Sequence, residues 1–549
     1  MAHGPTHIDE ADKTPMGAKA WPAWRTCIIL AIVGLVLLAT AMIPADVTLV
    51  GGGMSRLMFA YLVGYCFFLA LTVGSVAIVI LTHLFRAGWV VAVRRVPETF
   101  AANFLWVGIL ALPIIITALV DSKGSIYPWA MSMDELDKRI HHADEVLHHG
   151  GGHHDEDAHH DDEGHADTDA DVTILPVAET EHGHDDPQAG HAAADGTHAL
   201  TGQPLGSAYP EDRDEALAIQ EAEYTTLLAY MLDYKRFNGE VAHHNDKYAL
   251  VPPGKGMKIP GLGLSWYNPG FYVFRIILYM AAFSLIGLYY WRQSVAQDAS
   301  ADPAHTTKRE WWAPASVIVF ALATTFVAFD VLMSLDPAWY STMFGVIFFA
   351  NSLLAGICFT ILVCLALQKK GLLKAVRTDH YHDLGKLLFA FTFFWGYVSF
   401  SQFMLIWYAS LPETTYWFEI RGATTVLSAP QFGSGWSWII LVLLFGHLIV
   451  PFGFLLSRHV KRNLTLLAGA AIWMLLMIYL DLFWYIMPAY DSSVVTFGLP
   501  EIGAVLAVGG VVFAQFFGRF RQHAPVPHND PRLNESLALD TSAWAPIHH

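Results

Sequence analysis

FFWGYVSFSQFMLIWYASLPETTYWFEIR, residues 393–421, and WIILVLLFGHLIVPFGFLLSRHVKRN, residues 438–463, lead into a third apolar run that ends in YLDLFWYIMP at residue 488. An α-helix rises about 1.5 Å per residue, so each of these runs is long enough to cross about 30 Å of hydrocarbon. We therefore predict three consecutive membrane-spanning helices in this part of the chain.

Polar side chains interrupt these apolar runs at Ser399, Ser401, Gln402, His447 and Asp481. A charged group at such depth costs on the order of 3 kcal/mol unless it meets a partner or water. All five are therefore candidate functional residues.

The whole chain has the composition of a polytopic membrane protein. Of its 549 residues, 54% are hydrophobic, and the mean hydropathy is +0.39. The run Ala39-Thr40-Ala41 has the form of a signal-peptide cleavage site, but the long, acid-containing segment before it favours an uncleaved first span. We predict an all-α fold with about ten spans, near residues 24–43, 57–82, 100–120, 270–291, 312–333, 343–366, 385–410, 436–457, 464–486 and 501–521.

The acidic charge belongs to one segment. The formal net charge is −17, yet most of the excess acid lies between Asp121 and Asp246. Because no basic stripe is present, we expect no nucleic-acid partner.

The cysteines lie in apolar runs and outside any CxxC or CxxCH pattern: Cys27, Cys66, Cys358 and Cys364. We predict that they are buried small side chains rather than disulfides or metal ligands. Neither covalent haem c nor a cysteine-ligated iron–sulfur cluster is expected in this chain.

Basic residues are distributed unevenly between alternate loops. Loops on one side carry many Lys and Arg residues, whereas the short loops on the other side carry only Arg56 and Arg421. Such a bias marks the cytoplasmic side of a membrane. It predicts a multi-pass protein of the bacterial inner (plasma) membrane, with both termini in the cytoplasm and the large loop in the periplasm.

This topology divides the chain into five parts. They are a cytoplasmic N-terminal tail (1–23), transmembrane helices 1–3 (24–120), a periplasmic insert (121–269), transmembrane helices 4–10 (270–521) and a cytoplasmic C-terminal tail (522–549). Within the insert we predict helices at 132–149 and 211–237.

A histidine- and aspartate-rich low-complexity tract, HHGGGHHDEDAHHDDEGH, occupies residues 148–165 of the insert. Imidazole and carboxylate groups together bind Zn, Ni or Cu, but no pair has zinc-site spacing on a predicted helix. The glycines and acids favour a solvated chain. We expect adventitious metal binding at most, at His153, His154, His159 and His160.

Buried polar residues on several spans suggest a proton pathway, because protons move along chains of titratable groups and water. The predicted orientation places His447 near mid-membrane, three residues in the outer part and two on the cytoplasmic side. The outer three are Asp330, Gln402 and Asp481, and the cytoplasmic two are His83 and Glu98. In the alternative reading, Asp330, His447 and Asp481 only join neighbouring helices by hydrogen bonds.

The sequence resembles a known family in three runs: FSQFMLIWYASLPETTYWFEIR (400–421), GHLIVPFGFLLSRHVKRN (446–463) and DLFWYIMP (481–488). The family is ActF, the second NrfD-like membrane subunit of bacterial alternative complex III, a quinol:cytochrome c oxidoreductase. The resemblance is clearest over residues 270–521. It implies an architecture like that of NrfD and the polysulfide-reductase membrane subunit (PsrC), with ten helices. In it, spans 2–5 and 6–9 form two four-helix bundles flanked by the first and last spans.

The resemblance also implies partner subunits. These are a paralogous NrfD-like quinol-binding subunit, an iron–sulfur periplasmic subunit, haem c subunits and, as a further candidate, a terminal cytochrome oxidase. Haem c and iron–sulfur clusters would lie in those partners, which leaves a quinone or menaquinone as the candidate cofactor of this chain. Its candidate residues are Asp330, Asp121 and Tyr65, with no histidine nearby to act as a general base.

Three functions compete at this point. In the first, the chain is a non-catalytic or accessory membrane subunit of a respiratory quinol:cytochrome c oxidoreductase, building its membrane sector and conducting protons. In the second, the chain itself binds quinol and transfers electrons. In the third, it is a secondary transporter, for which Pro113 and Pro451 supply helix interruptions, although no repeat aligns.

Overall fold

The structure is a computed structural model and describes residues 8–15, 21–43, 53–119, 126–127, 266, 268–336, 339–423, 435–491 and 494–539. The regular secondary structure of these residues is entirely helical, and they contain no β-strand. The predicted helices 132–149 and 211–237, the histidine tract and Asp121 lie outside the described residues.

Ten helices in the described part of the chain are long and apolar enough to cross a membrane, which confirms the predicted all-α polytopic fold. Each overlaps one predicted span. We call them spans 1 to 10, and they are Ala23–Met42, Gly53–Leu84, Gly88–Leu119, Pro269–Ser300, Ala304–Leu335, Phe344–Lys369, Thr378–Ala409, Gly435–Leu456, Leu464–Ala489 and Leu499–Phe520.

Several spans are built from more than one regular helix. The α-helices are Glu10–Lys13, Trp21–Ala39, Gly53–Leu84, Val91–Ala101, Phe104–Leu110, Leu112–Leu119, Pro269–Ser300, Ala304–Val331, Phe344–Lys369, Thr378–Ala409, Pro412–Glu419, Gly435–Leu443, Val450–Leu456, Arg458–Arg462, Leu464–Ile486, Leu499–Phe520 and Leu533–Leu537. Short 3₁₀ turns lie at Thr40–Met42, Gly88–Val90, Met333–Leu335 and Met487–Ala489, and one π-helical turn lies at Leu444–Ile449.

Proline accounts for the π-helical turn in span 8. Pro451 has no N–H to donate to the carbonyl of His447, and its ring would clash with that carbonyl in a regular α-helix. The turn before it, Leu444–Ile449, is accordingly widened to π-helical geometry. His447 therefore lies in an irregular turn, a feature frequent at functional sites.

Both described terminal segments, residues 8–15 and 521–539, lie at the same end of the helices, which we call the terminal side. Asp9 pairs there with Lys374 before span 7, and Asp530 pairs with Arg94 on span 3. We call the other end the opposite side. This arrangement follows from an even number of spans.

Several spans continue further on the terminal side than hydropathy predicts. Span 5 begins at Ala304 rather than at residue 312, and span 4 continues past residue 291 to Ser300. The added turns carry charged residues that find partners, such as Asp298, which pairs with Arg95. Hydropathy falls where charge begins, but the helix continues because those charges are paired.

The spans pack as two four-helix groups. Spans 2 to 5 contact one another, as do spans 6 to 9, and spans 2 and 6 form the main contact between the groups. Span 10 packs against spans 1 and 2. The four cysteines are buried, as predicted.

Two glycines bring the groups into backbone contact. A Cβ added to Gly356 on span 6 would lie 2.6 Å from the carbonyl carbon of Gly74 on span 2, and one added to Gly74 would meet the carbonyl oxygen of Ser352. Small residues at a helix crossing permit this approach inside a membrane. No larger side chain fits at either position.

Residues 521–539, predicted as part of a C-terminal tail, fold against the terminal side. The Ser536 hydroxyl donates to the carbonyl of Trp89 at 2.7 Å and accepts the N–H of Ala92 at 3.2 Å. Its oxygen also lies 3.0 Å from His380 Nε2 on span 7. Ser536 therefore makes polar contacts with both four-helix groups, and hydropathy does not predict such contacts.

Candidate functional site

One side chain from each span of the second group contributes to a buried cluster inside that group. Asn351 comes from span 6, Trp395 from span 7, His447 from span 8 and Asp481 from span 9, and all four are buried. We call these four residues, together with Tyr485, the Asp481 cluster. At about 1.5 Å per residue, Asp481 lies about 12 Å along span 9 from its end on the opposite side.

Asp481 is hydrogen-bonded but not ion-paired. Asn351 Nδ2 and Trp395 Nε1 both donate to its Oδ2, the second across 3.3 Å. Tyr485, one turn further along span 9, is also hydrogen-bonded to it. Among the described residues no Lys or Arg forms an ion pair with this carboxyl group. A carboxylate offers about four lone-pair positions, so one acceptor position remains.

His447 lies one aromatic ring away from that carboxyl group. Its imidazole stacks on the Trp395 indole, with 3.7 Å between ring centroids and 22° between the planes. Neither ring nitrogen has a hydrogen-bond partner in the part of the chain that the structure describes. An unsatisfied buried polar group costs about 1–3 kcal/mol. Both nitrogens of His447 therefore remain able to form hydrogen bonds that the packing of the helices does not supply.

Polar atoms continue from the cluster toward the opposite side on span 7. Trp395, Ser399 and Gln402 are spaced i, i+4 and i+7, which places them on one face of that helix. Ser399 Oγ and Gln402 Oε1 are buried and have no partner among the described residues. The structure therefore places Gln402 in line with the Asp481 cluster, although no hydrogen bond in the described chain joins the two.

A second line runs through Tyr485 to Arg421, beyond the end of span 7. Arg421 Nη2 donates to the Tyr485 carbonyl at 3.0 Å, and its Nη1 donates to the Trp417 carbonyl at 2.9 Å. The Arg421 guanidinium also lies 3.8 Å above the Trp417 ring. In the sequence Arg421 was visible only as a loop charge. In the structure, Arg421 lies toward the opposite side, at the end of the line of contacts that runs from Asp481 through Tyr485.

Asp330, in the first group, is in a different situation. Arg275 on span 4 donates from Nε and Nη2 to its two carboxylate oxygens at 2.8 and 2.9 Å. Tyr279 Oη and Trp266 Nε1 donate to the same oxygens at 3.0 and 3.1 Å. Four donors fill the four lone-pair positions of the carboxylate. Asp330 is thus the anion of a buried ion pair, and it has no acceptor position left for an incoming hydroxyl group.

The residues around Asp330 do not fit a quinol-oxidising base. Tyr65 is buried, and its hydroxyl lies 3.8 Å from the sulfur of Met280, a weak acceptor. Tyr272 donates to the hydroxyl of Tyr127 at 3.0 Å, and Tyr127 donates to the carbonyl of Val331 at 3.2 Å. These phenols are donors to fixed partners, and the general base that quinol oxidation requires is not among them.

The terminal-side residue Glu98 belongs to a charged cluster. Arg94 donates to Glu98 at 2.7 Å and to Asp530 at 2.6 Å, while Arg309 lies 3.6 Å from Glu98 and 3.2 Å from Asp530. The two positive charges of this cluster therefore balance its two negative charges. Burial alone would raise the pKa of Asp530, but the guanidinium groups of Arg94 and Arg309 outweigh it and hold that pKa at about 2.

His83 lies close to this charged cluster but is not part of it. Its Nδ1 is 2.7 Å from the carbonyl of Val79, its ring centroid is 5.1 Å from that of Tyr290, and its Nε2 has no partner among the described residues. His83 and Glu98 therefore belong to the first group, apart from the Asp481 cluster of the second group.

Sequence reasoning missed three residues that shape these sites. Arg275 carried a usable signal, because an arginine inside an apolar span requires an acidic partner. Trp395 and Asp530 carried none, since an aromatic residue in an apolar run and an acid in a tail are both ordinary. No family model matches the chain, and no curated protein matches it.

Proposed function

We propose that this multi-pass membrane protein is a membrane subunit of a respiratory quinol:cytochrome c oxidoreductase of the alternative complex III type, and that the Asp481 cluster is its proton-exchange site. The observation that carries the proposal is the meeting of three spans at one carboxyl group without a cation, with the imidazole of a fourth span stacked on one of its hydrogen-bond donors. Packing alone requires no ionisable group there, and a charged group at that depth is costly.

The cluster has the chemical features of a proton-exchange site. Asp481 retains one open acceptor position, and the adjacent His447 has two unpartnered nitrogens. A proton can move between such groups through water, which needs two to four polar partners to occupy a buried position. Asn351 Oδ1, which has no partner among the described residues, supplies another acceptor beside Asp481.

The geometry favours exchange with the opposite side. Ser399 and Gln402 lead that way along span 7, and Tyr485 and Arg421 lead that way from span 9. His83 and Glu98, the predicted residues of the terminal half, lie in the first group instead. The proposed pathway is therefore a half-channel that joins Asp481 to the opposite side, the periplasm in the predicted topology.

The proposal that the chain belongs to this complex rests on the sequence resemblance, which also implies the partner subunits. Affinity purification of the full-length chain in mild detergent, followed by mass spectrometry of the attached proteins, tests this directly. We expect an NrfD-like paralogue, an iron–sulfur subunit and haem c subunits. Recovery of the chain without any of them would refute the assignment to a respiratory complex.

The proton assay uses the complex in proteoliposomes with an artificial quinol and cytochrome c. Asp481→Asn, which keeps the shape of the side chain, is expected to lower the number of protons moved per electron while quinol oxidation continues. Tyr479→Phe is the matched control, because it removes an unpartnered buried hydroxyl two residues away on the same span. An unchanged proton-to-electron ratio in both Asp481→Asn and His447→Phe would reduce the cluster to a contact between helices.

A quinol-binding role for this chain is the second candidate, and Tyr65 is the observation in its favour, since its hydroxyl faces only a weak sulfur acceptor. The filled lone-pair positions of Asp330 weigh against it. Photolabelling with an azido-quinone, followed by peptide mapping, separates the two functions. Labelling of the peptide around Tyr65 would support quinol binding by this chain, and labelling confined to the paralogue would refute it.

A further inference from the structure

Three spans bring a cationic surface together at the terminal-side rim of the molecule. Arg519 near the end of span 10 donates from Nη1 to Asn103 Oδ1 on span 3 at 2.9 Å. Its guanidinium carbon lies 5.1 Å from the centre of the Trp291 ring on span 4. The His523 ring lies 5.1 Å from the same indole. We call these residues, with Arg95 and Arg292, the rim site.

The buried atoms of the rim site that lack partners are all donors. They are Arg95 Nε and Nη1, Asn103 Nδ2 and Trp291 Nε1, none of which has an acceptor in the described part of the chain. Arg95 and Asn103 are 1% and 0% exposed. One unpartnered buried acceptor, Asp298 Oδ1, belongs to the carboxylate that pairs with Arg95. Buried donors are normally satisfied, and the unpartnered donors here outnumber that acceptor, so the site is suited to a ligand that brings several acceptor oxygens.

The charge of the rim site is unbalanced. Among the described residues Asp298 pairs with Arg95, but no carboxylate pairs with Arg292 or Arg519. The charged cluster of Arg94, Glu98, Arg309 and Asp530 at the same end of the molecule contrasts with this, because its two arginines face two acids. Burial, followed by the positive charges of Arg95 and Arg519, lowers the pKa of His523, which is consistent with an excess of cations here.

The depth of the rim site matches the level of lipid headgroups. Trp291 closes the apolar run 270–291, Asn103 lies at the start of the run 100–120, and Arg519 lies at the end of the run 501–521. Tryptophan is enriched at this boundary. Further into the membrane, Leu285 and Leu105 are 69% and 54% exposed and offer apolar surface to acyl chains.

We propose that the rim site binds the phosphate group of an anionic phospholipid between spans 3, 4 and 10. The lipid phosphate accepts hydrogen bonds from the unpartnered donors and offsets the charges of Arg292 and Arg519, while its acyl chains lie along spans 3 and 4. Basic pockets between membrane helices are suited to such headgroups. This inference does not depend on the proposed respiratory function.

Native mass spectrometry of the full-length, delipidated protein tests the proposal by titration with three probes. These are dioleoylphosphatidylglycerol, dioleoylphosphatidylcholine as its net-neutral counterpart, and inorganic phosphate. We expect one phosphatidylglycerol to bind at least about fivefold more tightly than phosphatidylcholine, as one nearby Arg contributes on that order. Arg292→Gln is expected to remove most of this preference, and Trp291→Phe, which deletes one N–H donor, to weaken binding about tenfold.

Lys308→Gln is the matched control, because it removes one exposed cation from the same side of the molecule outside the rim site. Equal loss in Lys308→Gln and Arg292→Gln would mean that general surface charge is responsible, and would overturn the proposal. Equal affinity for the two lipids would overturn it as well. Binding of inorganic phosphate as tight as that of phosphatidylglycerol would identify a small-anion site and overturn the assignment to lipid. Arg292 is exposed and Trp291 is half-buried, so neither variant removes a fully buried side chain.

Discussion

Removing either partner of the Asp330–Arg275 ion pair is expected to destabilise the first four-helix group, but with different dependence on pH. In Asp330→Ala, the Arg275 guanidinium keeps one acceptor, the Trp266 carbonyl at 2.7 Å, and loses two. Arginine cannot shed its proton. The cost is therefore that of an uncompensated buried charge, about 3–5 kcal/mol, and it does not change between pH 5 and pH 7.

Arg275→Met leaves a carboxyl group that can discharge by taking up a proton. That uptake costs about 1.4 kcal/mol for each pH unit above a reference pKa near 4. The penalty is thus capped at about 4 kcal/mol at pH 7 and falls to about 1.5 kcal/mol at pH 5. The double variant Arg275→Met/Asp330→Leu removes both charges and is expected to cost less than about 2 kcal/mol, because an apolar pair can replace a buried ion pair.

Unfolding of the purified protein by sodium dodecyl sulfate in mixed micelles, at pH 5 and pH 7, measures all three variants. Tyr279→Phe is the control, since it removes one hydrogen bond to the same carboxylate and leaves the ion pair in place. The reasoning is refuted if the single variants add up to the double variant, or if Arg275→Met is equally destabilised at both pH values. Additivity would mean that the two side chains do not act as a pair.

Three further predictions concern other parts of the fold. Gly74→Leu is expected to cost about 3 kcal/mol or more, because it forces spans 2 and 6 apart; Gly469→Leu, where an added Cβ meets nothing within 4 Å, is the control in the same unfolding assay. The stabilisation from Asp530, about 2 kcal/mol for a pKa lowered from 3.8 to about 2, is present above pH 4 and lost as the pH falls toward 2. The difference in melting temperature between wild type and Asp530→Asn should therefore shrink between pH 5 and pH 3, and a constant difference would contradict the assignment. His447→Phe is expected to change stability by less than about 1 kcal/mol, because the stack on Trp395 is kept and no protein hydrogen bond is lost; a large loss would show that the imidazole nitrogens have structural partners.

The sequence predicted those features that depend only on residues close together along the chain. Ten spans follow from runs of apolar residues, and the burial of Asp481 and His447 follows from their positions within such runs. Which charged residues pair with each other cannot be read from the sequence around either one. The residues near Asp330 in the sequence do not identify Arg275 as its partner. Arg94 and Asp530 are likewise far apart in the sequence, although their side chains lie 2.6 Å apart in the structure. The sequence therefore predicted which polar groups are buried, but not that Asp330 is ion-paired and that Asp481 is not.

Asp530, described above as one of the two anions of the terminal-side charged cluster, has a consequence for biosynthesis. It follows span 10 in the sequence, so it leaves the ribosome after the ten spans that the structure describes. Until it arrives, Arg94 and Arg309 share Glu98 as their only anion within that cluster. Correct insertion of the spans is thus followed by a late step in which the C-terminal segment docks. A chain that terminates before residue 530 leaves Arg94 and Arg309 with Glu98 as their one anion in this cluster, and therefore with one buried positive charge uncompensated there.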